Sequence, residues 1–221
     1  MNHLRFARPF AAVLACAAMS ACSTVNFDTN TTTEAQFDTV FATNNALTPA
    51  AVPIFGSATY EGEIQIDTIS GTTQSGSIRG GLIMEASFSS TDPITATAGG
   101  FAGTVNGQRV TYSGQLSSDD APGLLPLNQV LTSGFGPTAA STMFVSIGGT
   151  LRNDDTGVRN RLQAGFGTAQ GSWLQGDFRG SNARVVTGEA QFNINPSGGV
   201  SAITGTANDA IVTGQFYGVA N

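Results

Sequence analysis

Residues 58–67 read Ala-Thr-Tyr-Glu-Gly-Glu-Ile-Gln-Ile-Asp, and this stretch is the clearest indication of the fold class. Small or apolar residues alternate with polar ones along it, and a period of two is typical of a β-strand with one buried face. The buried face is predicted to hold Ala58, Tyr60, Gly62, Ile64 and Ile66. The opposite, solvated face is predicted to hold Thr59, Glu61, Glu63, Gln65 and Asp67.

The same alternation recurs along the chain, separated by turn sequences such as Asn106-Gly107. Eight half-polar strands without a convincing long helix predict an all-β fold. We expect a soluble, eight-stranded antiparallel up-and-down β-barrel, because closure removes exposed strand edges. A two-sheet sandwich stays open as the alternative. The seven further strands are predicted near residues 82–88, 94–105, 108–116, 143–153, 161–178, 185–195 and 209–216.

The segment 117–138 breaks this rhythm with several prolines and the acidic pair Asp119-Asp120. It is long for a simple connection between strands. We therefore predict either a short helix near residues 127–131 or a functional excursion.

The N-terminus has the pattern of an export signal. Arg5 and Arg8 precede an apolar run at residues 10–19, which is too short to span a bilayer as a helix. The following Met19-Ser20-Ala21-Cys22 resembles the lipobox of bacterial lipoproteins. Cys22 is then the lipidation site, carrying palmitate-type acyl chains as the mature N-terminus. Ordinary secretion, with cleavage after an alanine, is the alternative.

Three regions follow from this organisation: a lipoprotein signal peptide at 1–21, a flexible Thr/Asn-rich tether at 22–54 and the barrel at 55–221. Ser23 follows the cysteine where an aspartate would retain a lipoprotein in the inner membrane. We therefore expect a lipid-anchored protein of the cell outer membrane, and we expect it to be a monomer.

The composition of the mature chain excludes many chemistries. Removal of residues 1–21 removes His3 and Cys16, and the chain has no lysine, so His-based triads, catalytic thiolates and Schiff bases are excluded. We predict that the protein is not an enzyme and that it has no cofactor and no metal site. Seven arginines against 15 acidic residues give 7 − 15 = −8 after cleavage, which argues against nucleic acid and against a basic membrane-binding face.

Several local patterns allow a functional and a structural interpretation. Glu61 and Glu63 could be paired catalytic carboxylates, although neighbours on one strand face are usually just solvated. Asn153, Asp154 and Asp155 offer oxygen ligands for Ca²⁺ but also suit a hairpin turn. Residues 165–171 superficially resemble a phosphate loop without its lysine.

The aromatic residues leave the same two interpretations open. Trp173 and Tyr217 could anchor a binding patch or belong to the core. Phenylalanines that follow glycines, as at Gly100-Phe101 and Gly134-Phe135, could line an apolar ligand cavity or fill the barrel.

The C-terminal half carries a pattern similar to a known family. Residues 176–183 read Gly-Asp-Phe-Arg-Gly-Ser-Asn-Ala, and residues 212–218 read Val-Thr-Gly-Gln-Phe-Tyr-Gly. These resemble two motifs of the transferrin-binding-protein-like β-barrel surface lipoproteins, which include factor H-binding protein. The resemblance covers roughly residues 55–221. It implies an eight-stranded barrel on a lipid anchor, exposed at the cell surface, that binds a protein or a solute.

Taken together, the sequence predicts a non-catalytic binding module for a protein or small solute, using loops at one rim of the barrel. The residues that contact the ligand stay unknown at this stage. The alternative is a structural or assembly lipoprotein of the envelope without a soluble ligand. An integral outer-membrane barrel is disfavoured because the second strand face is polar rather than continuously apolar.

Overall fold

The computed structural model describes residues 27, 32–53, 56–88, 94–118, 128–165 and 171–221. The predicted signal peptide, Cys22, Asp119-Asp120 and most of the glycine-rich segment 165–171 lie outside these residues. Among the described residues, no helix has the length and apolar character needed to cross a membrane.

The described chain contains one α-helix, eleven strand segments and two short 3₁₀ turns, at Gly136–Thr138 and Ser181–Ala183. The elements in chain order are α1 (Glu34–Asn45), β1 (Ser57–Ser70), β2 (Thr73–Ser87), β3 (Ile94–Val105), β4 (Gln108–Ser117), β5 (Asn128–Ser133), β6 (Ala140–Ser146), β7 (Gly148–Asn153), β8 (Arg159–Leu162), β9 (Trp173–Arg179), β10 (Val185–Ser197) and β11 (Ala210–Ala220).

The strands close into an eight-stranded antiparallel barrel, which confirms the fold predicted from the sequence. Hydrogen-bonded neighbours run in the order β1, β2, β3, β4, β7, β8, β10 and β11, and β11 pairs again with β1. β6 and β7 follow one another with only Ile147 between them. β8 and β9 likewise run along the same flank of β10, so each pair replaces one predicted long strand.

The Asn106-Gly107 turn forms as predicted between β3 and β4. Both residues have positive φ, 50° and 77°. Two consecutive residues in that region match the twist of the flanking strands, and asparagine and glycine adopt it at the least cost.

The prediction of a short helix near residues 127–131 is wrong, because Asn128–Ser133 is the strand β5. It pairs antiparallel with β6, from Asn128 opposite Val145 to Ser133 opposite Ala140. β4 pairs with β3 and β7 rather than with β6, so one edge of β6 needs another partner. β5 supplies the backbone groups that this edge needs, and its β-branched Val130 and Thr132 suit an extended chain.

Side chains fill the interior of the barrel. The apolar face predicted for β1 points inward, and Tyr60, Ile64 and Ile66 are at most 1% exposed. Rings from four other strands meet them, and the hydroxyl of Tyr60 donates to the carbonyl of Ala183 at 2.8 Å. Burial of this phenol raises its pKa to about 12. The buried rings are Phe101, Phe178, Phe192 and Phe216.

Part of the predicted flexible tether is ordered and packed on the outside of the barrel. We name residues 32–53 the strap. Thr33 and Gln36 form a reciprocal capping box that begins α1, and Phe37 in the first turns is completely buried. The expectation that these residues define no packed element is therefore wrong. The capping sequence was visible in the chain, but only two apolar side chains, Phe37 and Phe41, mark the buried side of α1.

The strap is fastened at both of its ends. Glu63 accepts hydrogen bonds from the amide and the hydroxyl of Thr32, and Arg79 donates to the Thr32 carbonyl at 3.0 Å. After α1, the Ala50 amide donates to the Phe178 carbonyl at 2.8 Å. The strap thereby runs from the middle of β1 and β2 to the far end of β9.

Candidate binding groove on the outer face

Outward side chains on four neighbouring strands form rows that run across the sheet. Residues directly opposite one another in an antiparallel pair have Cβ atoms about 4.5–5.5 Å apart. Because side chains alternate between the two faces, successive rows on the outside lie two residues apart along each strand. The first row is Asp177, Thr187, Tyr217 and Glu63; the second is Gln175, Glu189, Gln215 and Gln65; the third is Trp173, Gln191 and Thr213, with Asp67 joined to Thr213.

The strap covers the first row from Thr187 to Glu63, whereas the side chain of Asp177 stays 42% exposed. The Phe37 ring packs on Tyr217 with centroids 5.4 Å apart, and Thr187 donates to the side chain of Asn45 at 3.0 Å. Tyr217 in turn donates to Glu63 at 3.0 Å. Burial first, and then the adjacent Glu63 carboxylate, raise the pKa of the Tyr217 phenol well above its usual range.

Apart from Gln65, which is 6% exposed, the second and third rows are left uncovered and form the floor of a groove beside α1. One depression, of about 390 Å³, lies where the strap meets β9 and β10. A second, of about 290 Å³, continues toward β1. Glu189 and Gln215 line both, so the two depressions adjoin one another. The side chains that define this groove are Phe41, Asn45, Asp67, Trp173, Gln175, Glu189, Gln191, Thr213 and Gln215.

Asp67 stands at one end of the groove. Its carboxylate accepts from the Thr213 hydroxyl at 3.1 Å. Burial raises the pKa of Asp67, the negative charges of Glu34 and Asp38 on α1 raise it further, and hydrogen bonds from Thr213 and Gln65 oppose the rise.

The other end of the groove is held by an ion pair. Arg179 approaches Asp177 to 3.2 Å and also donates to the Leu47 carbonyl at 3.0 Å. Asp177 accepts a further hydrogen bond from Thr142 at 2.8 Å. Among the described residues that line the groove, the cationic side chain is that of Arg179, and both of its terminal nitrogens are held by these contacts.

The lining therefore offers mainly neutral and anionic hydrogen-bonding groups. Glutamine side chains both donate and accept, carboxylates accept, and the Trp173 indole adds a flat amphipathic surface. Such a set matches a ligand with many hydroxyl or amide groups and no strong negative charge. Apolar walls with a few polar groups, the commoner composition of small-molecule sites, are absent from this part of the described chain.

The carboxylates singled out from the sequence have different environments. Glu61 is exposed on β1, whereas Glu63 is partly buried and bound by Thr32 and Tyr217. Glu63 thus fastens the strap.

The acidic turn forms a hairpin connection between β7 and β8. The Asn153 side chain accepts from the amides of Asp155 and Thr156, at 3.1 and 2.8 Å. Asp154 accepts from the Ser113 amide. The residues proposed as oxygen ligands therefore close the turn. Within the described chain, no three His, Cys, Asp or Glu side chains are arranged so that they could hold a metal ion.

The aromatic candidates divide between the two interpretations. Trp173 lines the groove, whereas Tyr217 is 8% exposed beneath the strap. Phe101 is fully buried in the barrel, but Phe135 is 93% exposed at the tip of the β5–β6 hairpin.

That hairpin belongs to the predicted excursion and borders a separate, more apolar depression of about 510 Å³. Val52, Phe88 and Val130 contribute to its walls. The rim loops expected to bind a ligand therefore contain a hollow, but it lacks the array of polar groups found in the groove.

Sequence reasoning missed the groove residues as a set. The period of two places Glu189, Gln191, Thr213 and Gln215 on outward faces, but it does not show which strands are neighbours or where the strap lies. A run of outward amides on β10 and β11 was the available signal.

Comparison with known proteins adds no relative: no family model, curated protein or solved structure matches this chain.

Proposed function

We propose that this protein is an exported lipoprotein, anchored to the outer membrane through Cys22, whose barrel binds a polar, hydroxyl-rich solute such as a saccharide without transforming it. The observation that carries the proposal is the open pair of polar rows beside the strap, with Trp173 at one end. Binding at this groove differs from the rim-loop site expected from the sequence.

The packing inside the barrel supports an external site. A ligand in the lumen would have to displace buried rings such as Phe192 and Phe216, both fully excluded from solvent. Removing a phenylalanine from a core costs about 3–5 kcal/mol. The groove needs no such displacement, since its side chains already face solvent.

The lining chemistry supports a neutral polar ligand over an anionic one. Asp67 and Glu189 would repel an anion, whereas a hydroxyl group can donate to either carboxylate. Gln175 and Gln215 can pair with neighbouring hydroxyls through both amide atoms. The face of a sugar ring could pack on the indole of Trp173.

Calorimetric titration with maltotriose, cellotriose and chitotriose tests this site. The chain 23–221 retains every residue that the structure describes and lacks the apolar signal. At least one trisaccharide should bind, and Glu189→Gln should weaken it by about tenfold or more, because a charged acceptor is lost. Glu61→Gln, the same change on an exposed outer position of β1, is the matched control.

Two results would overturn the saccharide-binding proposal: heat of binding for none of the three trisaccharides, or equal affinities for Glu189→Gln and Glu61→Gln. Binding that both variants retain would place the ligand elsewhere on the protein.

The lipid anchor has its own test. Replacing Cys22 by serine should abolish incorporation of labelled palmitate and release the protein from envelope pellets. Persistence of both behaviours would refute anchoring at Cys22. Protease treatment of intact cells would then distinguish a surface-exposed domain from one that faces the periplasm.

Membership of the transferrin-binding-protein-like family is part of the proposal. The motif at residues 176–183 ends β9 and places Phe178 edge-on to Tyr60, with centroids 5.6 Å apart. Asn182 and Ala183 follow with positive φ, 58° and 54°. The Phe178–Tyr60 contact supports a role for the motif in the packing of the barrel. It does not indicate a ligand.

The alternative is a structural lipoprotein of the envelope. The exposed Phe135 and the apolar hollow beside it favour a contact with another envelope component. A deletion strain with a leaky envelope and normal solute uptake would support this alternative.

A further inference from the structure

The arginines of the mature chain are concentrated at one end of the barrel. Four of the seven flank two adjacent turns, those between β3 and β4 and between β7 and β8. All four side chains are exposed. We name this group the basic rim; it consists of Arg109, Arg152, Arg159 and Arg161.

The basic rim places like charges against one another. Arg152 and Arg159 are direct cross-strand partners on β7 and β8. Arg161 lies two residues further along the same face of β8, about 7 Å away. Like charges directly opposite in a sheet are destabilising, so this arrangement costs folding free energy.

The acidic residues at this end of the barrel, among them Asp67, form no ion pair with the four arginines in the described part of the chain. Asp154 and Asp155 lie in the intervening turn, and Asp209 lies beyond the adjacent end of β10, where Asn195 donates to it. The one ion pair of the described residues joins Arg179 to Asp177, away from the rim. A chain with 15 acidic residues thus leaves four arginines facing solvent together.

From this arrangement we propose that the basic rim docks on the anionic phosphate headgroups of a membrane. Arginine is suited to phosphate because its planar fork donates two parallel hydrogen bonds. At physiological salt, charges act over about 8 Å, so the rim attracts a surface locally although the mature chain is acidic overall. The net charge of −8 hid this segregation in the sequence.

The route of the N-terminal chain is compatible with the proposed docking. Phe27 packs into a slot between Gly81 and Gly99, where an added Cβ would lie 2.7 and 2.5 Å from its ring. Cys22 precedes Phe27 by five residues, which span at most about 18 Å. Gly99 is six residues from the end of β3 at the basic rim, about 15 Å in height after allowing for strand tilt.

An anchor of that length lets either end of the barrel meet the bilayer, and the arginines select one of them. This orientation rests on the proposed anchor at Cys22, whereas the attraction of the rim for anionic lipid does not. Docking by the basic rim would leave the groove, on the outer faces of β9, β10 and β11, beside the membrane rather than beneath it.

Vesicle sedimentation with the chain 23–221, which carries no acyl chain, tests the rim alone. Vesicles of phosphatidylcholine mixed with phosphatidylglycerol should pellet the protein more than vesicles of phosphatidylcholine, and added salt should reverse this. Each arginine near an anionic surface contributes about fivefold in affinity. Arg152→Gln combined with Arg159→Gln should therefore weaken binding by about 25-fold.

The matched control is Arg184→Gln, an exposed arginine at the opposite end of the barrel, which should bind as the unaltered chain does. The near-ultraviolet spectrum of Trp173 verifies that each variant is folded.

Three results would overturn the proposal: equal pelleting with both kinds of vesicle, an unchanged affinity of the double variant, or complete release by inorganic phosphate at matched ionic strength. The last would make the rim a site for small anions. If the Cys22→Ser experiment shows that the protein is not anchored through Cys22, the vesicle result still holds, because the chain 23–221 carries no acyl chain. The two proposals can therefore fail separately.

Discussion

The inside and the outside of this barrel are made by alternate residues of the same strands, yet they differ in what holds them. On β10, Val186, Ala190 and Phe192 point inward and are completely or almost completely buried, whereas Thr187, Glu189 and Gln191 point outward. The inner set needs only apolar bulk. The strap divides the outer set into a covered row that fastens the chain and rows that it leaves uncovered.

Coverage by the strap, rather than residue type, separates the outer polar groups that hold the fold from those that we propose bind a ligand. Glu63 and Glu189 are both glutamates on outer strand faces. The strap engages Glu63 through Thr32, and Glu189 remains exposed in the groove.

Phe192→Ala should be the most damaging change, because it empties part of the lumen. We expect a loss of about 3–5 kcal/mol in the free energy of unfolding, measured by denaturant titration. Gln215→Ala on the outer face should change it by no more than about 0.5 kcal/mol. Similar losses for the two variants would contradict the distinction between inside and outside.

Phe37→Ala should detach the strap without opening the barrel. The expected loss is about 2–4 kcal/mol, below that of Phe192→Ala, because only the docking of residues 32–53 is weakened. Hydrogen exchange should accelerate across α1 while the amides of β1 and β11 keep their protection. Acceleration in both regions would mean that strap and barrel unfold together.

Glu63→Gln should loosen the start of the strap by about 1–3 kcal/mol, because hydrogen bonds from Thr32 and Tyr217 lose their charged acceptor. Limited proteolysis near Thr32 would report this as faster cleavage. Glu61→Gln removes the same charge from the same strand without touching the strap, so it should leave the cleavage rate unchanged. If the two variants are cleaved at equal rates, the fastening role of Glu63 is wrong.

Asp67→Asn should have the smallest effect, and it should depend on pH. Burial raises the Asp67 pKa in the folded state, so the native protein binds this proton more tightly than the unfolded chain does. The resulting stability is present below the usual aspartate pKa, about 4, and is lost as pH rises through the raised value. Relative to the unaltered protein, the variant should therefore gain stability on going from acid toward neutral pH, and parallel curves would contradict this.

The interior of the barrel could be predicted from the sequence because its signal is local. Tyr60, Ile64 and Ile66 alternate with polar residues over a short stretch, and the same pattern recurs in each strand. Turn residues such as Asn106-Gly107 then fixed where strands reverse. The number of strands and their antiparallel order follow from these local patterns.

The strap and the groove could not be predicted in the same way, because they depend on contacts distant in sequence. Thr32 meets Glu63, Asn45 meets Thr187, and the second row joins Gln65 to Gln215 across some 150 positions. No periodicity encodes those meetings. The basic rim was hidden for the same reason, since Arg152 and Arg159 become neighbours only when β7 pairs with β8.

The β5 strand shows a third kind of limit. Residues 128–133 contain Leu131, a good helix former, beside Val130 and Thr132, which prefer extended chain. The tertiary need for a partner along β6 decided between these preferences.

The most direct test of a filled lumen and an external groove uses the single tryptophan of the chain, Trp173. Its fluorescence should be quenched by acrylamide, and the trisaccharide that binds in calorimetry should protect it. Protection should disappear with Glu189→Gln and persist with Glu61→Gln. Saccharide binding that leaves the accessibility of Trp173 unchanged would contradict a ligand site on the outer face.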